Sequence, residues 1–166
     1  KNSFHDVVKE AGVQGFTEPD PKIDLSGVDV ARKILILIRE SGYKMEMEEI
    51  TNESFLPIEC METKNNEAFF ASLIKHSSHF ENIYKEALAK ECRLKYVAKF
   101  ENGKASVGLQ FIPKESPFYN LEGKDNIVQF YTDRYVDQPL LIKGAGAGAA
   151  VTASGIFADV IRIGNV

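Results

Sequence analysis

Apolar and polar residues recur with two different periods along this chain, and the change of period divides it. Residues 3–11 (SFHDVVKEA) place apolar side chains at helical spacing, with Gly12 and Gly15 closing the helix. TEPDP at 17–21 follows as an extended or turning segment, because each proline disfavours helical backbone at the residue before it. A long helix is predicted to start at Asp24 or Ser26, either of which can cap it, and to run to about Glu40. Gly42 fits its C-terminal stop. Residues 46–58 are read as a strand followed by a turn. Between Asn66 and Lys90, Phe69, Leu73, Phe80, Ile83, Tyr84, Ala87 and Leu88 suit an amphipathic helix broken near Ser77-Ser78.

The period then shortens to two. RLKYVAKF and ASVGLQFI flank ENGK, whose Asn102-Gly103 pair predicts a hairpin turn. NIVQFYTDRY and PLLIK supply two further strands. Helices gather first and strands later, an order that predicts an α+β fold with a mainly antiparallel sheet packed with helices.

Composition narrows the class without changing this picture. A chain of 166 residues can bury one good core, and 44% apolar with 27% charged residues is ordinary for a soluble globular protein. The net charge of −4 argues against nucleic acid as the main partner, since phosphate binding wants a basic face. ILILI at 34–38 stops at Arg39, far short of a membrane span. Cys60 and Cys92 sit in neither metal-ligand nor CxxC spacing, so both are expected as reduced thiols of a cytoplasmic protein. The chain opens on Lys1 rather than Met and is expected to be a piece of a longer one.

The Gly-rich tail has three readings. PLLIKGAGAGAAVTASG fits G-x-G-x-x-G/A formally through Gly144, Gly146 and Ala149, which would set a pyrophosphate on a helix N-terminus. A self-contained dinucleotide site needs a βαβ unit with an acid roughly 20 positions on, and Asp159 comes too early. The second reading is a tight strand-to-helix turn in which small residues permit close packing. The third takes its cue from GIFADVIRI, apolar on nearly every side, and expects a strand-turn-helix that packs on protein outside these residues.

The acids and the lysine before ILILI carry the candidate chemistry. Asp29 and Lys33 are four apart, on one face of a helix, with the acid N-terminal to the base. As an exposed pair they would contribute about 0.3–0.5 kcal/mol. Val28, Val30, Ala31, Ile34, Leu35, Leu37 and Ile38 instead cover most of the helix, which predicts a buried helix and a partly desolvated lysine. Desolvation favours the neutral amine while Asp29 opposes it, the tuning a proton-transferring lysine requires. Glu18, Asp20 and Asp24 lie on the proline-stiffened segment leading into that helix. Convergent carboxylates suit a cationic group such as an amine; a divalent metal suits them less, as no His or Asn completes a ligand set there. His76 and His79 are read as surface residues of a helix.

GFTEPDPKIDLSGVDVARK, residues 15–33, resembles the signature of the homoserine dehydrogenases, and GAGAGAAVTASGIFADVIRI, residues 144–163, resembles that family's C-terminal end. The stretch FFASLIKHSSHFENIYKEALAKECRLKYV looks more like the bifunctional aspartokinase–homoserine dehydrogenases. The resemblance implies NAD(P)-linked hydride transfer between L-homoserine and L-aspartate 4-semialdehyde, in the biosynthesis of threonine and methionine. It implies that Lys33 gives and takes the proton at the substrate oxygen, and that Asp29 binds substrate and orients Lys33. Glu18 and Asp24 would hold the homoserine amino end, and Gly15 and Gly148 would lie beside the nicotinamide cofactor, NADP or NAD. Asp20 is left as structural, and no metal is expected in catalysis.

The same resemblance implies residues 1–142 as a catalytic and dimerisation region of a homodimer or higher homo-oligomer. Residues 143–166 would return to a Rossmann domain that is expected to lie outside this sequence. The 166 residues alone are therefore expected to bind cofactor weakly and to turn over nothing measurable, and the exposed last helix to favour aggregation. Two other readings stand beside this one: a non-enzymatic α+β binding or dimerisation module, and a related hydroxy amino acid dehydrogenase.

Overall fold

Ser3 starts the first helix by a reciprocal cap. Its hydroxyl accepts from the Asp6 backbone N–H at 3.2 Å, while the Asp6 carboxylate accepts from the Ser3 backbone N–H at 3.0 Å. In this computed structural model, which describes residues 3–123, 125–146 and 148–165, the helix is α1, Phe4–Val13. The chain forms two compact units, Lys1–Lys114 and Glu115–Val166.

The predicted long helix is in fact two. Asp20 caps a short helix α2, Pro21–Leu25, accepting from the Lys22 N–H at 3.0 Å, with proline in the first turn. Gly27 then takes φ +78°, and α3 runs over Val28–Glu40. Neither Asp24 nor Ser26 is the cap; apolar spacing continues across the break, so periodicity alone does not show it. At the far end Gly42, at φ +89°, ends α3 as expected.

A 3-10 turn at Met47–Glu49 leads into β1, Ile50–Glu53, and then α4, Ile58–Met61. Asn65 caps α5, Asn66–Lys75, and α6 follows at Ser77–Ala89, so the predicted break falls at His76. The strands β2, Arg93–Glu101, and β3, Lys104–Ile112, close around Asn102 and Gly103. Both turn residues have positive φ, 51° and 74°, as the tight hairpin turn requires. The sheet order is β1-β3-β2, antiparallel between β2 and β3 but parallel between β1 and β3.

Two apolar clusters hold this unit. One face of α3 (Ala31, Leu35, Ile38) packs with Met45, Ile50, Ala105 and Val107 of the sheet side. The other joins Val8, Leu56, Cys60, Phe69, Leu73 and Phe80, with the Phe4 ring stacked on Phe80 at 4.4 Å. Fully burying a side chain such as Phe69 or Leu73 stabilises the fold by about 1.5–3 kcal/mol each.

The second unit holds β4, Asp125–Thr132, and β5, Tyr135–Ala145, paired antiparallel, then α7, Ala149–Gly164. Gly144 is therefore a strand residue opposite Asn126, not the first glycine of a phosphate loop. The Asn126 side chain fills the space a Cβ on Gly146 would need. The Gly-rich run predicted at 144–150 includes Ala147, and the tail was predicted to end at Val166; both residues, like the opening Lys1-Asn2, lie outside the described residues. The observed α+β class agrees with the expectation, with one parallel strand pair added.

Candidate functional site

The proline segment is fastened at several points. Pro21 is buried, Asn66 Nδ2 donates to the Pro19 carbonyl at 2.7 Å, and Lys22 Nζ donates to the Thr63 carbonyl at 2.7 Å. Asp20, expected to be structural, serves as the α2 cap. Asp24 Oδ2 accepts from the Glu18 backbone N–H at 2.8 Å. That bond folds the segment so that Glu18 and Asp24, six residues apart, share one exposed neighbourhood.

Beyond the bend at Gly27, Asp29 sits in the first turn of α3, where the helix dipole favours a carboxylate. Lys33 Nζ lies 2.8 Å from Asp29 Oδ2. Their side chains are 57% and 56% exposed respectively, so the predicted desolvation of Lys33 is not present in this chain. The reason is the helix's orientation: Ala31, Leu35 and Ile38 face the core, while Ile36, counted among its apolar run, is 60% exposed. Such an ammonium, aligned by a carboxylate and open on its outer side, can pass a proton to a bound group.

The bend has its own supports. Asn52 Nδ2 donates to the Ser26 carbonyl at 2.7 Å, and the Tyr96 hydroxyl donates to Asn52 Oδ1 at 2.9 Å. A Cβ on Gly27 would collide with the Tyr96 ring. Burial, and then the nearby Glu53 charge, push the Tyr96 phenol above its ordinary value. Sequence reasoning missed Asn52, Tyr96, Asn66 and Thr63, because each meets its partner across tens of residues of chain.

Gly15 and Gly148 both need glycine's conformational freedom. Gly15 has φ +76° with open space around it, and Gly148 opens the 16-residue α7 at φ +134° with no side chain capping the helix. Each fits a position where a ligand approaches backbone closely; they belong to different compact units. Among the described residues, no group of three or more His, Cys, Asp or Glu is placed to hold a metal ion. His79 is exposed with Nε2 2.8 Å from the Phe55 carbonyl. His76 departs from the surface reading: it is half-buried, and its Nε2 is shut from solvent with no hydrogen-bond partner among the described residues. Among those residues, too, no helix is long and apolar enough to cross a membrane.

Comparison with known proteins shows the family. The homoserine dehydrogenase family profile matches residues 1–161, so the chain belongs to that family. It is 44% identical to a bifunctional aspartokinase/homoserine dehydrogenase 1, chloroplastic, of Arabidopsis thaliana, over 97% of this chain and 18% of that protein. It is 41% identical to a homoserine dehydrogenase of Schizosaccharomyces pombe, over 97% of this chain and 44% of that protein. A Candida auris crystal structure, described as a protein of unknown function, superposes with TM-score 0.89 at 39% identity, covering 99% of this chain and 47% of that one. The chain thus spans less than half the length of each of these three.

Proposed function

We propose that the protein containing this chain interconverts L-homoserine and L-aspartate 4-semialdehyde, with NADP or NAD as cofactor. The observation that carries the reading is the pairing of two groups about the α2–α3 bend: Glu18 with Asp24 before it, Asp29 with Lys33 after it. The carboxylates of Glu18 and Asp24 hold the substrate ammonium. Asp29 contacts substrate and aligns Lys33. In the reducing direction Lys33 gives its proton to the aldehyde oxygen; in reverse its neutral amine takes the hydroxyl proton. The nicotinamide, when bound, supplies or takes the hydride. Gly15 and Gly148, each at a positive φ where a Cβ would be strained, are the positions the family resemblance assigns to the cofactor.

In this reading residues 1–142 form the catalytic and dimerisation region, and residues 143–166 return to a nucleotide-binding domain. The exposed β4–β5 ribbon meets a second copy in a homodimer. The two free cysteines of the chain, Cys60 and Cys92, suit a reducing compartment, the cytoplasm. Covering by the nucleotide-binding domain would supply the desolvation that Lys33 lacks here.

The test is a substrate screen with the full-length parent protein, following NAD(P)H formation with homoserine, serine, threonine and longer hydroxy amino acids. Homoserine is expected to give the highest kcat/KM. Preference for another alcohol would make the protein a related dehydrogenase, and no turnover with any would leave a binding or dimerisation module.

A further inference from the structure

We infer that Tyr96 and Asn52 are positioning residues for this reaction, holding the bend at Ser26-Gly27 that sets Asp29 and Lys33 relative to Glu18 and Asp24. The inference rests on the function proposed above. Its physical basis is a chain of contacts from the sheet to the bend. Asn52 stands on β1 and Tyr96 on β2, the two outer strands of the three-stranded sheet. Asn52 uses both ends of its amide, accepting from the Tyr96 hydroxyl at 2.9 Å and donating to the Ser26 carbonyl at 2.7 Å.

The bend needs such a fixture. Gly27, at φ +78°, has no side chain to limit its backbone, and among the described residues the Ser26 hydroxyl serves local partners, the Ile23 carbonyl at 2.7 Å and the Val28 N–H at 3.3 Å. Rotation about Gly27 would swing α3 against α2 without breaking either helix. The Tyr96 ring closes that freedom by occupying the space beside the Gly27 Cα, and the Phe55 ring stands edge-on to it at 6.3 Å.

What the bend sets is specific. Asp29 and Lys33 share one helix, so their 2.8 Å pairing does not depend on it. Asp24 lies on the other side, on α2, tied to Glu18. Loosening the bend therefore leaves the substrate's amino end gripped and Lys33 paired with Asp29, but presents the oxygen off-line to Lys33.

The experiment uses the full-length parent enzyme with Tyr96→Phe, Asn52→Ala, the double variant and Lys33→Ala. Each single clamp variant is expected to lower kcat about tenfold, as a small misplacement of reacting groups does. KM for homoserine should stay within about twofold, and the limbs of the pH profile should not move. The double variant should lose no more than the worse single, because the two contacts act in series. Unchanged kcat, additive losses, or losses that vanish when rates are normalised to folded enzyme would overturn the clamp. If Lys33→Ala is inactive while the clamp variants behave as wild type, only the clamp fails. If Lys33→Ala keeps its rate, the functional reading itself fails, and the clamp with it.

Discussion

In the unit Lys1–Lys114, Phe69 and Cys60 are 0% exposed and Leu73 is 1% exposed, whereas in the unit Glu115–Val166 no described residue is buried. There Phe157 is 64% and Ile163 75% exposed, on a helix as apolar as any in the chain. The difference is geometric. The first unit can set helices against a sheet and against one another, so apolar faces meet. The second has a two-stranded ribbon and one helix, too few layers to enclose a core, and isolated ribbons of that kind are marginal in water. Contiguous exposed apolar surface of this sort marks contact sites. We therefore propose chemistry for the well-packed unit and contact surface for the other.

The sharpest way to break that contrast is to truncate one phenylalanine in each unit of this chain. Phe69→Ala should cost about 3–5 kcal/mol in chemical denaturation. Phe157→Ala, at a surface position, should change stability by less than about 0.5 kcal/mol. Comparable losses at both sites would mean that α7 is packed after all. A second test addresses the ribbon in the full-length protein. Leu140 and Ile142 project to one side of β5, 42% and 56% exposed. Replacing both with Asp should weaken dimerisation about a hundredfold in sedimentation, the scale of an interface hot spot. An unaltered dimer would move the contact elsewhere.

The smallest effect concerns Tyr96, whose folded-state value is raised above the ordinary 10.0. An unfolded chain then releases this proton first, so the contribution to stability is complete below that ordinary value. It is lost as pH climbs through the higher folded value. Denaturant midpoints measured across the alkaline range should fall more steeply for wild type than for Tyr96→Phe. Parallel curves would put the phenol in ordinary surroundings.

Much of this was legible in the sequence, for local reasons. Asn102-Gly103 dictates its turn because both residues tolerate positive φ, and the helix break beside Ser77 follows from a lapse in apolar spacing. The break at Gly27 left no such lapse, since Leu25, Val28 and Ala31 keep the apolar rhythm across it. The parallel pairing of β1 with β3 depends on contacts over fifty residues apart, beyond any local pattern. For the site, the spacing of Asp29 and Lys33 predicted their contact. Counting apolar neighbours overstated their burial, because several of those neighbours are only half-buried or exposed. Asn52 and Tyr96 gave no signal, being unremarkable residues until the sheet brings them to the bend.

The most direct test of the account is kcat for homoserine oxidation by the full-length parent protein, wild type against Lys33→Ala, with circular dichroism to confirm equal folding. Loss of a proton-transferring side chain should lower kcat about 10²–10⁴-fold while the fold persists. A variant within about threefold of wild type would contradict the account and move the proton transfer to another residue.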